Sequence, residues 1–596
     1  SEDVNLLNSP RQARNGRVRE VVARVTLEIA LRKEFDYSIP SELEGRVEVG
    51  TRVKVPFGRR EVLGCVTSLT QQSEHNSLKP ITKIIGAQSL VTPRVLELAR
   101  WIAEYYCCAP ETALKSVLPD AVRKEQEGWR ERLFVRLLPG TEGVESLTKR
   151  QQEIYQVIEQ NRSIALQELL KITGTTAATV RKLEDRGLVE IAPQISERDP
   201  YAKEEIIPTR PLKLNPEQAA ALKAVNDKPG EFFLLHGVTG SGKTEVYLQA
   251  IAHALEQGNG AIVLVPEISL TPQTVERFKA RFSSGPIKTL VAVLHSHLST
   301  GERHDEWHKI RQGRAKIVIG ARSAIFAPIE PLGLIIVDEE HEPSYKQEEA
   351  PRYHARDVAV VRGQREGATV VLGSATPSME SYHNAQRGRY NLLTLPTRVD
   401  DKQMPLVRVQ DMCTEKSKDD QGPPIFSQRL KEAICNRLEQ GEQTILFLNR
   451  RGFATSMQCP DCGFVAECPN CSLSLTYHRR EQFLRCHVCG HNARAPQRCP
   501  EVKCGSSKIR FHGLGTEKVE DVLRKLFPNA NVTRMDSDAL KRKDDYRRIL
   551  GDFRRGKIDI LVGTQMIAKG LHFPRVTLVG IVYADIGLHL ADFRAG

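Results

Sequence analysis

The sequence predicts an α/β chain built on two parallel-sheet lobes. The second lobe carries a cysteine-rich insertion, and a small β-rich domain and a unit of three helices and a strand precede both. Three observations predict this. Short, continuously apolar strands alternate with helices from about residue 211 to 397 and again from 425 to 595, the pattern of parallel sheets covered on both faces. GVTGSGKT at 237–244 sits between one such strand and one such helix. Eight of the 13 cysteines crowd between Cys459 and Cys504.

From the N-terminus, residues 1–18 are polar and read as a disordered arm that begins without Met and lacks the apolar core of a signal peptide. No apolar run approaches the ~20 residues of a membrane-spanning helix, and 596 residues suggest about four domains. The formal charge of +12 favours a polyanionic partner such as nucleic acid; a basic surface without such a partner stays open at this point. Residues 19–125 form the β-rich domain. VVARVTLEIAL, FDYSIP, TRVKVPFG and EVLGCVTSLT are strand-like runs broken by turn residues, followed by helical sequence at 92–107.

In the next unit, 126–205, LTKRQQEIYQVIEQ reads as a helix, and ALQELLKITG as a second, closed by Gly174. TTAATVRKLEDRGLVEIAP opens on a threonine cap and carries a third helix, with Gly187 turning into a strand. Three helices and a strand are the winged-helix pattern. Thr176, Thr179, Arg181 and Lys182 on the third helix suit a DNA groove; packing against protein is the alternative.

The first lobe, 206–400, carries the phosphate-binding signature. GVTGSGKT matches G-x-x-x-x-G-K-[ST], with the strand before it and the helix after it that the motif requires. Gly237, Val238, Thr239, Gly240, Ser241 and Gly242 let backbone N–H groups curl around phosphate oxygens at a helix N-terminus. Lys243 is expected to reach the β- and γ-phosphates of ATP, and the Thr244 hydroxyl to ligate Mg²⁺. DEEH at 338–341 follows the strand LGLIIV. Asp338 is expected to hold Mg²⁺ through water and Glu339 to orient and deprotonate the attacking water. NPEQ at 215–218 leaves two roles open for Gln218: an adenine-edge contact or a polar residue at a helix N-terminus.

The cysteines run Cys459-x2-Cys462-x5-Cys468-x2-Cys471-x14-Cys486-x2-Cys489-x9-Cys499-x4-Cys504. Zinc takes four thiolates in a structural site, so eight make two closed Cys₄ sites in a module at 459–504. The inner knuckles, Cys468 and Cys471 with Cys486 and Cys489, resemble a zinc ribbon. Closing them brings the outer four together, so nested pairing is favoured over sequential. The other five, Cys65, Cys107, Cys108, Cys413 and Cys435, show no ligand spacing and read as small hydrophobes.

Further motifs fall in order: LVPEISLTPQ at 264–273, GARSAIFAP at 320–328, GSATPS at 373–378, FLNRRGFA at 447–454 and VGTQMIAKGLHFP at 562–574. A P-loop alone suits a kinase, a GTPase or a transporter ATPase. The whole series resembles superfamily 2 helicases, which implies RecA-like helicase lobes at 206–400 and at 401–458 with 505–596. An eight-cysteine insert directly after FLNRRGFA resembles one family within that group, the PriA replication-restart helicases. The resemblance covers nearly the whole chain. It implies an ATP-dependent 3′→5′ DNA helicase that recognises abandoned replication forks, remodels them and initiates primosome assembly to reload the replicative helicase. Implied partners are forked and single-stranded DNA, other primosome proteins, single-stranded DNA-binding protein and the loading machinery, in a bacterial-type cytoplasm at the nucleoid and with no membrane.

FDYSIP and VKVPFGRR are similar to the family's 3′-end-binding domain, and by that match Phe35, Asp36, Gly58 and Lys79 line the 3′-end pocket. SYKQEEAPRYHARD resembles its aromatic-rich loop, placing Tyr345, Tyr353, His354 and Arg356 against single-stranded bases; lobe packing is the alternative for these aromatics. The family continues past DFRA into a QVAGRAGR-like motif bearing an arginine finger, whereas this sequence ends at Gly596. A fragment, or slow turnover, is the expectation from that difference. It also gives the rival reading, a fork-binding primosome scaffold with a weak or inactive motor. An RNA helicase or restriction-type translocase fits the N-terminal motifs and the cysteine insert less well.

Overall fold

The computed structural model describes residues 21–29, 33–75, 77–85, 89, 91–118, 131–138, 147–161, 163–195, 207–267, 272–282, 288–296, 298–399, 405–415, 424–448, 456–459, 461–471, 473–478, 483–486, 488–507, 509–512, 516–536, 545–564, 567 and 573–585. The arm at 1–18, residues 268–271, 449–454 and 591–595, and most of VGTQMIAKGLHFP lie outside them. Two compact units result, Ser1–Lys402 and Gln403–Gly596.

The first unit opens with strands β1 (Val22–Leu27), β2 (Glu34–Ser38), β3 (Arg52–Phe57), β4 (Arg60–Thr70) and β5 (Lys83–Ile85), in the order β2-β1-β4-β3-β5. Every pairing is antiparallel. Alternation sends Ala23, Val25 and Leu27 of β1 and Val53 and Val55 of β3 into one core. Helix α1 (Pro93–Tyr105) starts where the Thr92 hydroxyl accepts from the Val95 N–H at 3.2 Å, with proline at its first position. Helix α2 (Pro110–Val117) follows. Val95, Leu98, Ile102, Leu114 and Val117 of these helices share a core with Phe326, Tyr353 and Val358 of the first lobe.

Next come β6 (Glu131–Leu137), α3 (Lys149–Asn161), β7 (Ser163–Ala165), α4 (Leu166–Thr173), α5 (Ala177–Glu184) and β8 (Val189–Ile195). The three strands pair antiparallel as β7-β6-β8. Ile154, Ile158, Leu169, Val180 and Leu183 pack against Val135. Gly174 ends α4 in the left-handed region at φ 59°. Strand β6, ahead of the first helix, was not evident in the sequence.

The first lobe contains α6 (Pro216–Asp227), β9 (Phe232–Gly237), α7 (Lys243–Glu256), β10 (Gly260–Leu264), α8 (Pro272–Phe282), β11 (Leu290–Leu294), α9 (Thr300–Arg311), β12 (Ala315–Gly320), β13 (Leu332–Asp338), α10 (Ala355–Glu366), β14 (Thr369–Ser374), α11 (Met379–Gln386) and β15 (Asn391–Leu395). Its seven strands run parallel in the order β11-β12-β10-β13-β14-β9-β15. Both faces are covered, which explains the unbroken apolar runs. On β13, Ile335 and Val337 enter one core, Leu334 and Ile336 the other. The order sets the ends of β13, β14 and β9 side by side, so DEEH, GSAT and the P-loop meet at one edge.

In the second unit, α12 (Gln428–Glu439) and β16 (Gln443–Leu448) lead into β17 (Ser456–Gln458), β18 (Thr476–His478), β19 (Phe483–Arg485), β20 (Asn492–Arg494) and β21 (Arg510–His512). These five short strands form their own antiparallel sheet, β20-β19-β18-β17-β21. The folded module therefore reaches past 459–504 on both sides. Then α13 (Thr516–Leu526), β22 (Val532–Met535), α14 (Asp545–Arg554), β23 (Ile560–Gly563) and β24 (Val576–Val582) complete a parallel sheet ordered β22-β23-β16-β24.

Candidate nucleotide, zinc and DNA sites

The P-loop leaves β9 and turns into α7 through two glycines in the left-handed region, Gly240 at φ 83° and Gly242 at φ 79°. A Cβ on Gly242 would lie 2.3 Å from Gln218 Nε2, so this position has no room for a side chain. Lys243 Nζ donates to the Gly237 carbonyl at 2.7 Å, folding the cation over the loop. The Ser241 hydroxyl is fully buried and has no hydrogen-bond partner, an orphaned polar atom of the kind a bound anion or water satisfies. Behind the loop, the Glu245 carboxylate grips Arg281 at 2.8 and 2.9 Å and anchors the first turn of α7. These residues fit a nucleotide phosphate chain.

Asp338 ends β13, and Tyr247 of α7 donates to its Oδ1 at 3.0 Å. Burial, then the adjacent Glu339, pushes the Asp338 carboxyl up to about 6, while Lys243 opposes the rise. Glu339 holds the left-handed φ of 48°; a non-glycine residue there carries strain of a kind concentrated at functional sites. Glu340 is fully buried and accepts from the Ser378 N–H (2.6 Å), the Ser378 hydroxyl (2.9 Å), the Ser381 hydroxyl (2.8 Å) and Arg356 Nη1 (3.2 Å). His341 Nδ1 lies 2.8 Å from the Ser374 hydroxyl, which also accepts from the Thr376 N–H at 2.9 Å. Carboxylate and imidazole thus bind DEEH to GSATPS.

The structure gives several of the expected site residues packing partners, and for Tyr345 and Tyr353 it corrects the expected stacking role. Gln218 is 3% exposed. Its carbonyl accepts from the Asn215 N–H at 2.9 Å in a capping box, and its amide donates to the Ser241 carbonyl at 2.8 Å. It braces the P-loop from a helix N-terminus. Tyr345 and Tyr353 are each 1% exposed. Tyr345 donates to the Asp338 carbonyl at 2.7 Å, and Tyr353 meets Phe326 edge-on at 5.1 Å. Neither ring offers a face for stacking, because each fills the lobe core. Arg356 is tied to Glu340, Asp357 and Ser378. The His354 N–H donates to the Tyr106 hydroxyl at 3.1 Å, and its half-buried ring is held down to about 4 by desolvation and then by Arg356. The aromatic-rich loop thus joins α1 to the end of β13.

The eight thiols fall into two groups, Cys459, Cys462, Cys499 and Cys504, and Cys468, Cys471, Cys486 and Cys489, with all sulfurs in a group within 4.8 Å of one another. Sulfur separations include 3.7 Å for Cys459–Cys504, 3.5 Å for Cys462–Cys499 and 3.5 Å for Cys468–Cys489. Four thiolates around zinc at ~2.3 Å stand about 3.8 Å apart, so both groups fit the ion, and the pairing is nested. Of the remaining cysteines, Cys65 is buried as expected. Cys107 and Cys435 are exposed and are not core residues; the Cys413 side chain lies outside the described residues.

At the N-terminal sheet, Phe35 packs edge-on against Phe57 at 5.4 Å, which brings it beside the Gly58 turn at φ 63°. Lys79 is exposed, and its carbonyl accepts from the Ser38 N–H at 3.0 Å. Asp36, the next residue along β2, takes Arg24 Nε at 2.9 Å on Oδ1, and Arg24 Nη2 at 3.3 Å and the Ser73 hydroxyl at 2.8 Å on Oδ2. The Arg24 guanidinium holds this carboxyl below the usual range. Phe35, Gly58 and the Lys79 backbone gather at one end of the sheet; the Asp36 carboxylate is 7% exposed inside its own ion pair.

Residues 24–119 match the PriA 3′ DNA-binding domain (3′BD), 215–385 the DEAD/DEAH box helicase, 468–494 the PriA DNA helicase Cys-rich region domain and 507–594 the helicase conserved C-terminal domain. A replication restart protein PriA of Bacillus subtilis (strain 168) is 42% identical over 637 residues, spanning 94% of this chain and 78% of that protein. One of Chlamydia trachomatis is 39% identical, spanning 96% and 77%. The chain belongs to the PriA family. It is a replication-restart DNA helicase that uses nucleotide and zinc. Among solved structures it is similar to RecG bound to a three-way DNA junction, at 21% identity and a TM-score of 0.34 over 62% of this chain and 38% of that one.

Within this PriA-family chain, Tyr247, Glu340, His341, Ser374 and Ser378 join the nucleotide motifs to one another. The sequence carries one weak signal for them: Tyr247 follows Lys243 by four residues, one helical turn, on a helix whose inner face must meet the sheet. Among the described residues no helix is long and apolar enough to cross a membrane.

Proposed function

We propose that this chain hydrolyses ATP with Mg²⁺ to unwind DNA 3′→5′ at stalled or abandoned replication forks, remodels them and starts primosome assembly to reload the replicative helicase. The observation that carries this reading is the shared core: α1 and α2, which follow the 3′-end sheet, are packed into the same apolar cluster as Tyr345, Tyr353 and the β13 residues leading to Asp338. A sheet that engages a nascent 3′ end is then fixed to the nucleotide machinery.

In this reading, the P-loop amides and Lys243 cradle the β- and γ-phosphates, and Thr244 and Asp338 would hold Mg²⁺, which when bound would supply charge neutralisation at the phosphates. Glu339, beside His341 at 3.5 Å, orients the attacking water and takes its proton. Glu340 and His341 pass the state of that site to GSATPS. Phe35, Gly58 and Lys79 receive the 3′ end. Asp36 accepts its hydroxyl through Oδ1, which carries one hydrogen bond and has acceptor capacity left. Exposed Thr176, at the N-cap of α5, and Arg181 and Lys182 on that helix suit a duplex groove. Other primosome proteins, single-stranded DNA-binding protein and the loading machinery are the proposed partners, in the cytoplasm at the nucleoid.

The test is ATP hydrolysis with forked DNA against RNA of matched length. Forked DNA is expected to stimulate it strongly and RNA weakly, with Lys243→Ala abolishing hydrolysis while leaving fork binding within about twofold. Equal stimulation by RNA, or hydrolysis by Lys243→Ala at the parent rate, would reject the reading.

A further inference from the structure

Tyr247 projects from α7 one turn after Lys243 and is 2% exposed. Its hydroxyl donates to Asp338 Oδ1 at 3.0 Å. Directly across the parallel ladder from Asp338 stands Gly373 of β14. A Cβ built on Gly373 would lie 1.7 Å from the Tyr247 hydroxyl and 2.8 Å from its Cζ. That hydroxyl therefore occupies space which only a glycine leaves free. The Gly373 carbonyl in turn accepts from the Glu340 N–H at 3.0 Å. The P-loop helix, DEEH and GSATPS thus meet at one phenol oxygen.

We propose that Tyr247 is a positioning residue for ATP hydrolysis: through its hydrogen bond to Oδ1 it fixes the Asp338 carboxylate in the orientation that would meet a hydrated magnesium ion, in space that the missing side chain of Gly373 provides. The inference rests on the assignment of Asp338 to Mg²⁺. A carboxylate torsion is broad and roughly two-fold. Without the phenol, Asp338 keeps the Glu339 backbone N–H and has Lys243 and Glu339 as competing electrostatic neighbours, so the orientation that would meet the ion is held less firmly. The nucleotide itself, held by the loop amides, is untouched.

The experiment uses the full chain, a fluorescent N-methylanthraniloyl-ADP titrated in EDTA and in Mg²⁺, and the Mg²⁺ concentration for half-maximal hydrolysis on forked DNA. Tyr247→Phe, with a thermal melt as the folding check, is expected to keep the EDTA affinity. It should raise the half-maximal Mg²⁺ concentration about tenfold, the scale of one hydrogen bond to a charged group. Gly373→Ala should act in the same direction. Its effect should shrink in the Tyr247→Phe background, where the atom at 1.7 Å is gone, so the two changes should couple. An unchanged Mg²⁺ requirement in Tyr247→Phe, beside a large loss in Asp338→Asn, would overturn the positioning role and leave the Asp338 assignment standing. Equal loss of affinity with and without Mg²⁺ would show a merely structural tyrosine and overturn the role too. An Asp338→Asn variant with an unchanged Mg²⁺ requirement would overturn both the assignment and the role.

Discussion

Ser378 gives Glu340 two hydrogen bonds, from its backbone N–H at 2.6 Å and from its hydroxyl at 2.9 Å, while capping α11 through the Ser381 N–H. Arg356 shares both partners, at 3.2 Å to Glu340 and 2.7 Å to the Ser378 hydroxyl. Glu340→Ala removes the carboxylate, leaves three donors buried (the Ser378 N–H and the Ser378 and Ser381 hydroxyls) and leaves Arg356 with only Asp357 as its carboxylate partner. The expected loss is about 3–5 kcal/mol, measured by urea or thermal unfolding. A midpoint indistinguishable from the parent would show that the network contributes nothing.

Gln218 separates two roles by specificity. As a brace between Asn215 and Ser241, its replacement by Ala should weaken ADP and GDP equally, about five- to tenfold for two lost hydrogen bonds. A selective loss of ADP over GDP would restore a base-reading role.

Arg24 and Asp36 set the chemistry of the 3′-end site. Asp36→Ala should reduce the preference for forks ending in a 3′-hydroxyl over a 3′-phosphate by about tenfold, while forks with a 3′-phosphate bind as before. Fluorescence anisotropy on the two fork types measures the ratio, and an unchanged ratio removes Asp36 from the pocket.

Nested pairing predicts the metal count. Cys486→Ser should lose one zinc and keep the other at Cys459, Cys462, Cys499 and Cys504, because each ion contributes folding free energy only to its own knuckles. ATP binding should persist. Metal analysis of Cys486→Ser and Cys499→Ser decides it; loss of the same ion in both would make the pairing sequential.

His308 supplies an acid limb to stability. Burial first, and His304 with its ring 4.3 Å away, push it down from 6.5 to about 4. Between those values the unfolded chain binds the proton and the folded chain does not, so stability falls on acidification from pH 6.5 towards about 4. His308→Gln should flatten the fall, as read from melting temperature across that range. An identical acid limb in the variant would assign it elsewhere.

The motor, the nucleotide loop and the zinc ligands were legible in the sequence because each depends on local order. Glycines and a lysine at fixed offsets make a phosphate loop only one way, and CxxC knuckles bring their own ligands together. Unbroken apolar strands announce a sheet covered on both faces. Partnership across the fold was not legible. Tyr345 and Tyr353 look in sequence like stacking platforms, since an aromatic residue carries no mark of whether its face will meet DNA or a core; packing α1 and α2 against the lobe buried them. Gln218 became a brace because the P-loop folds back onto the start of α6. Glu340 is one acid among three in DEEH until β14 arrives beside β13 and brings Ser378 to it. The sequence alone determined which chemistry the chain carries, because that chemistry lies in contiguous motifs. Only the tertiary structure decided which side chains are buried and what they bind, because strand order and helix packing join residues far apart along the chain.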